Sequence, residues 1–361
     1  MVEQRAVATE SVPVEKSSSG VFEGLQALRF VAALLVLVTH STFYTSTRLD
    51  PNVSTWEAGT AGVDIFFVIS GFVMMITAGP FMRVPHGWRY FAMRRIVRIV
   101  PMYWIATTAK IVALLILPGV ALRSSLDPQH VLFSYLFLPS CNDVGAVEPV
   151  MGVGWTLTFE MFFYAVFAIA LLLRVTPLLF VGSVMVALTI WGQLSPEGTS
   201  PWAVYLDPVT LYFVVGVVVA VLVRKGLTRW LVALSVACLC VAGVLALAGE
   251  MDWSRSAPFR FFVIVGLVAI TVLAEPLLRR ALPKQLLFFG DASYSIYLFH
   301  PLVAPMVPIA LAILGVPVVW LSVVGAIVWA LVVTSVIYAL VERRLVRLGR
   351  RLPYAGRIPE G

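Results

Sequence analysis

An arginine and a histidine, Arg29 and His40, share one apolar run from Leu25 to Phe43. A run of this length and character predicts a membrane-spanning helix. Titratable side chains are costly inside a bilayer, so a pair of them marks a functional site by default. At about 100° per residue, the step from one to the other is about 1100°, or about 20° past three full turns. Both side chains therefore leave the same helix face, roughly 16 Å apart along the axis. That spacing suits one long substrate lying in a groove, gripped by a cation at one end and worked on by a base at the other. Asp64 and Glu160 fall in two further apolar runs. Placed at a depth similar to His40, they predict a reaction centre built from three helices.

Positioning such residues requires a membrane fold. The chain has 361 residues, 60% hydrophobic and 12% charged, against about 25% charged in soluble domains. A bilayer admits helices or closed barrels only, and continuous rather than alternating apolar runs select helices. The expectation is an all-α integral membrane protein, a bundle of about ten transmembrane helices. They fall near 25–43, 60–79, 100–118, 155–174, 177–193, 204–223, 229–248, 258–275, 291–313 and 317–341. The stretch His130 to Leu138 is too short to span and is expected at the interface or as a cap on the bundle.

Lys and Arg set the orientation. With both termini cytoplasmic, only Arg48, Arg123, Arg255 and Arg260 of the 26 basic residues lie on the outer side, and Arg29 and Lys110 lie within spans. Residues 1–20 are polar and Ser-rich without an apolar core, and read as a disordered cytoplasmic tail rather than a signal peptide. Residues 21–347 form the transmembrane domain, and 348–361 a basic cytoplasmic tail. The formal charge of +7 does not imply nucleic-acid binding, because the basic residues sit in short loops between spans. Cys141, Cys238 and Cys240 have no metal-ligand spacing and read as packing residues.

The densest basic stretch runs from Trp88 to Pro101. Arg94 and Arg98 share a helix face, as do Arg95 and Arg98. Pro101 fits the first turn of a span, where its missing N–H does no harm. Such a cluster fixes topology against lipid headgroups. Equally, three guanidiniums on one short helix suit the oxygens of a phosphorylated substrate. Other polar residues also carry two readings. Tyr164, one turn after Glu160, is its natural hydrogen-bond partner. His300 either bonds a carbonyl freed by Pro301 or lines an acceptor path. Arg260 either snorkels or contacts an acceptor. Lys110 is expected to pair with an acid across the bundle, and Glu342 with Arg343 and Arg344 reads as an interfacial stop.

Taken in order, these stretches resemble the acyltransferase 3 family of membrane O-acyltransferases. The Arg29–His40 spacing resembles its first-helix signature. Gly59 to Phe72, with Asp64, Phe66, Phe67, Ser70 and Gly71, resembles its second-helix motif. Arg94 to Pro101 resembles its basic motif, Trp155 to Glu160 its fourth-helix motif, and Ser293 to Pro301, with Tyr297 and His300, its late-helix motif. The resemblance covers Gly24 to Arg347 and leans toward the branch that acetylates bacterial exopolysaccharides. It implies transfer of an acyl group, often acetyl, from coenzyme A to a hydroxyl of a carbohydrate, in the bacterial cytoplasmic membrane. It needs no metal.

On that footing His40 is the expected general base, with Glu160 or Asp64 orienting it. Arg94, Arg95 and Arg98 are expected to hold the nucleotide end of acyl-CoA, and Arg29 a group along the pantetheine arm. Ser70, Tyr164, Tyr297, His300 and Arg260 are the expected substrate contacts, with Ser70 and Tyr164 also candidate oxyanion donors. The partners implied are acyl-CoA, a carbohydrate acceptor and the lipid bilayer. A homo-oligomer is left open. Two alternatives stand beside this reading: acylation of a small secondary metabolite or glycolipid, and a transporter for a glycan or lipid-linked sugar. Specificity is expected in the loops Thr45–Gly59 and Pro118–Gly154.

The orientation has a direct check. In a cysteine-free background, Arg123→Cys and Arg280→Cys are expected to react with an impermeant thiol reagent from opposite sides of the membrane. Labelling from one side breaks the ten-helix arrangement.

Overall fold

The computed structural model describes residues 22–117, 126–195, 200–250 and 256–356. The expected tail at 1–20 lies outside these residues, as do Arg123, Arg255 and Arg357 among the basic residues used for orientation. Each of the ten predicted spans is helical. The first four fall in α1 (Glu23–Arg48), α2 (Ala61–Ile76) with the short α3 (Gly79–Arg83) after it, α4 (Gly87–Ile116), and, beyond the short α5 (Pro128–Tyr135), α6 (Trp155–Leu172). The next three are α7 (Pro177–Leu194), α8 (Leu211–Arg224) and α9 (Thr228–Leu247). The remainder are α10 (Ala257–Leu273) with α11 (Glu275–Ala281), α12 (Lys284–Val303) with α13 (Met306–Ile313), and α14 (Val319–Ile337), which continues through a π-helical turn, Tyr338–Glu342, into α15 (Arg343–Gly349).

Among the described residues, eight of these units are long and apolar enough to cross a membrane alone. The α10–α11 pair, bent by 72°, makes a ninth. The stretch Pro208–Arg224 is apolar but shorter. The protein is a multi-pass, all-helical membrane bundle.

One boundary differs from the sequence expectation. The third span starts at Gly87, not near residue 100, so Arg94, Arg95 and Arg98 belong to the spanning helix itself and Pro101 lies inside it. Tyr294 of α12 donates to the Ile99 carbonyl at 2.8 Å, two residues before that proline. Proline removes one ladder bond, the one to the Val97 carbonyl, and the helix continues through it. The basic stretch after α15 packs back on α4 as far as Gly356. Tyr354 packs on Tyr90 with ring centroids 5.1 Å apart, and Arg94 Nη2 donates to the Gly356 carbonyl at 2.6 Å.

The bundle centre is α1 packed against α2 and α12, with α8 behind α2. These contacts are backbone to backbone. A Cβ on Gly62 would sit 2.2 Å from the Ala32 carbonyl oxygen, one on Gly71 2.0 Å from that of Phe213, and one on Gly216 2.0 Å from that of Val68. Small residues let membrane helices approach this closely where lipid offers no hydrophobic driving force. The contacts also fix register. Gly59 meets Leu35 and Gly62 meets Ala32, so α2 descends as α1 rises, and Asp64 comes to lie roughly 15 Å nearer the Arg29 end than His40 does.

Gly71→Val and Gly216→Val each force α2 and α8 apart. Each is expected to destabilise by at least about 1–3 kcal/mol, read as a lowered unfolding temperature in detergent. An unchanged midpoint would disprove the close approach.

Candidate active site

Five helices surround a cavity of about 90 Å³. Arg29 comes from α1, Ser70 from α2, Arg95 and Arg98 from α4, Glu160 and Tyr164 from α6, and Tyr294 and Tyr297 from α12. Apolar side chains such as Phe66, Phe67 and Leu157 complete the wall. Each polar residue faces inward because its helix buries this stripe. Lipid solvates the opposite faces, as with exposed Ile105, Val112 and Ile116 on α4.

Glu160 anchors the polar wall. Ser70 Oγ donates to its Oε1 at 3.0 Å, and Tyr164 Oη donates to the same oxygen. The Arg95 guanidinium lies 6.0 Å from the Tyr164 ring and 5.8 Å from that of Phe91, and its Nε is buried without a hydrogen-bond partner. The pairing of Glu160 with Tyr164 is the one sequence spacing suggests. The shared depth of Glu160 and His40 is not found: Ser70, its partner, lies six residues beyond Asp64, toward the Arg29 end.

A second cavity, of about 560 Å³, is lined by Arg94, Arg95, Val97, Arg98, Val346, Arg350, Ala355 and Gly356. Arg95 and Arg98 line both cavities. One face of α4 thus carries guanidiniums from a wide basic chamber into the interior. The Arg94 guanidinium is braced 5.2 Å over the Phe81 ring.

Sequence reasoning missed Glu342. Rather than stopping a span at the interface, it is buried, accepts a hydrogen bond from Ser295 Oγ at 2.5 Å, and lies within electrostatic reach of Arg98 and Arg29. It sits on the π-helical turn, an irregularity frequent at functional sites. The available signal was its being the lone acid between Val319 and Gly349.

His40 and His300 stand beside the first cavity, behind Tyr297. Their ring centroids are 4.8 Å apart, and the Tyr297 ring is 6.2 Å from that of His300. Tyr297 is itself fixed, donating to the Val153 carbonyl at 3.0 Å and lying 2.9 Å from Thr156 Oγ1. His40 Nδ1 is 2.9 Å from the Val36 carbonyl, and His300 Nδ1 is 3.1 Å from that of Ile296. Neither carboxylate expected to orient His40 is engaged with it. Glu160 is held by Ser70 and Tyr164, and Asp64 forms an ion pair with Arg260 at 2.9 Å. That pair ties α2 to α10, and neither member lines the cavity. Lys110 forms no ion pair among the described residues. It occupies the half of α4 that carries the outward-facing Val112 and Ile116, where its stem can snorkel.

The acyltransferase domain that defines the acyltransferase 3 family matches residues 22–339. The exopolysaccharide production protein ExoZ of Rhizobium meliloti (strain 1021) is 36% identical over 249 residues, covering 67% of this chain and 75% of that protein. Nodulation protein 10 of Rhizobium leguminosarum bv. viciae is 27% identical over 332 residues, covering 81% and 85%. No solved structure matches. A matching domain over most of the chain, together with a polar cavity inside a helical membrane bundle, places the protein in the acyltransferase 3 family, as a multi-pass membrane O-acyltransferase.

Proposed function

We propose that the enzyme moves an acetyl group from acetyl-CoA to a hydroxyl of an exopolysaccharide. The observation that carries this reading is the sharing of Arg95 and Arg98 between two cavities. Coenzyme A has a compact polyanionic end and a long thin arm. The basic chamber fits the first and the interior cavity the second. Arg94, Arg98 and Arg350 hold the phosphates as charge-assisted hydrogen-bond donors. Arg29 and Arg95 hold the arm, with Glu160 and Glu342 keeping the guanidiniums in place. The chamber faces the cytoplasm, where coenzyme A is made, in agreement with the Lys and Arg bias. The membrane is then the bacterial inner membrane.

The thioester lies near Tyr297, within reach of His40. A backbone carbonyl only accepts, so His40 Nδ1 carries the hydrogen and Nε2 is free to take a proton. The acceptor hydroxyl gives its proton to Nε2 as its oxygen bonds to the thioester carbonyl carbon. The C–S bond then breaks, and the proton passes from His40 to the departing thiolate. Asp64 and Arg260 brace the far end of α2 outside this path. The acetyl group and the polysaccharide follow from the exopolysaccharide named in the ExoZ relative. Membership of an acyltransferase family disfavours the transporter alternative.

Two measurements test this function. Surface polysaccharide from a deletion strain is expected to carry acetyl groups by mass spectrometry when complemented with the wild-type gene, and none with His40→Ala. Acetylation with both removes His40 from the chemistry, and acetylation with neither removes the polysaccharide as acceptor. Arg98→Ala is expected to weaken acetyl-CoA binding about 10- to 100-fold, the worth of about 1.5–3 kcal/mol for a charge-assisted bond. Unchanged affinity by calorimetry would return the cluster to fixing topology.

A further inference from the structure

Among the described residues, two elements alone build the basic chamber. Every residue lining it belongs either to α4 or to the segment 346–356. That segment lies beyond residue 339, where the matched domain ends, so family membership assigns it no role. It is seated on α4 at three places. A Cβ on Gly349 would lie 2.1 Å from Val97 Cγ1, so the segment's backbone lies directly on that side chain. The Gly356 carbonyl accepts from Arg94 Nη2 at 2.6 Å. The Tyr354 ring meets that of Tyr90 edge-on, and the Arg89 guanidinium lies 5.7 Å over it. Tyr354 also holds a left-handed backbone, with φ of 61°. A residue with a side chain keeps that conformation only where its surroundings impose it.

What the segment brings to the chamber is charge. Arg350 lines the wall facing α4 and lies within electrostatic reach of Arg94. Among the described residues, no carboxylate lines the chamber or forms an ion pair with either guanidinium. Like charges held together without a counterion repel, and an anion between them relieves the repulsion. Arg94 is set for that task. Phe81 supports its guanidinium, and the Gly356 carbonyl takes one N–H and leaves the others for a ligand. Depth along α4 is also fixed. Arg98 lines both cavities, whereas Arg94, one turn away, lines only the chamber. Arg94 and Arg350 therefore form the end of the site farthest from the interior.

We propose that the segment 346–356 selects the donor: Arg350, set against Arg94, reads the phosphorylated nucleotide of a coenzyme A thioester, and a thioester on a bare phosphopantetheine arm is a poor substitute. This rests on the reading of the chamber as the coenzyme A site. An arm that enters the interior past Arg95 and Arg98 leaves the phosphate next to it at Arg98. The remaining phosphates of coenzyme A then lie further out, between Arg94 and Arg350, whose planar guanidiniums match phosphate oxygens. Phosphopantetheine ends at Arg98 and does not reach Arg350. Tyr354 and Gly356 are positioning residues, the first seating the segment on α4 and the second orienting Arg94.

The test is calorimetry on the purified full-length enzyme in nanodiscs, titrated with coenzyme A and, separately, with phosphopantetheine. Wild type is expected to bind coenzyme A at least about tenfold more tightly than phosphopantetheine. Arg350→Ala is expected to weaken coenzyme A binding about tenfold and to leave phosphopantetheine within about twofold, so that the ratio falls. Tyr354→Ala is expected to lower the ratio in the same direction, and Tyr354→Phe, which keeps the ring, to restore it. Both side chains are exposed, so these changes leave the bundle core untouched. Equal affinity of wild type for the two ligands would overturn the proposal, as would an unchanged ratio in Arg350→Ala or equal losses for both ligands. Failure of the wild-type enzyme to bind coenzyme A, or coenzyme A affinity that Arg98→Ala leaves unaltered, would overturn the underlying reading of the chamber instead.

Discussion

Three guanidiniums, those of Arg29, Arg95 and Arg98, lie around one cavity inside a bilayer-spanning bundle, and two carboxylates, Glu160 and Glu342, face them. Charge inside a membrane protein is tolerated only where protein or water, not lipid, surrounds it. The surrounding structure follows from that constraint. Each guanidinium points inward from a helix whose other side is apolar. Each carboxylate is held by hydroxyl donors, Glu160 by Ser70 and Tyr164, Glu342 by Ser295. The surplus is positive, which is what an anionic substrate requires.

Keeping lipid out of such a cavity demands tight walls. Gly62, Gly71 and Gly216 let α1, α2 and α8 meet at backbone distance, and the same contacts set the register that brings Ser70 level with Glu160. Continuity of α4 matters as much. Because it runs unbroken from Gly87 to Ile116, its arginines pass from the open chamber into the interior on one rigid element. A loop at this point would loosen the spacing between Arg95 and Arg98, which line both cavities.

Much of this was legible in the residues themselves. Helical periodicity alone puts Arg29 and His40 on one face, and α1 is a single helix through both. Apolar run length locates all ten helical segments. Periodicity, however, reports the faces of one helix and says nothing about how far its neighbour has slid. Asp64, Glu160 and His40 therefore read as level, although the glycine contacts displace α2 against α1. For the same reason the partner of Asp64, Arg260 on α10, and the buried setting of Glu342 were hidden, since both depend on helices distant in sequence. Pro101 misled for a local reason. Proline usually opens a helix, and here α4 runs on through it at the loss of one ladder bond.

The claim that the two cavities form one site for a coenzyme A thioester has a direct structural test. It is an electron cryomicroscopy structure of the enzyme with a non-hydrolysable thioether analogue of acetyl-CoA. The expected density places the phosphates against Arg94, Arg98 and Arg350, the pantetheine arm past Arg29 and Arg95, and the sulfur beside Tyr297 on the side of His40. An analogue bound outside the chamber, or a cavity filled by lipid while the analogue sits elsewhere, would contradict the account.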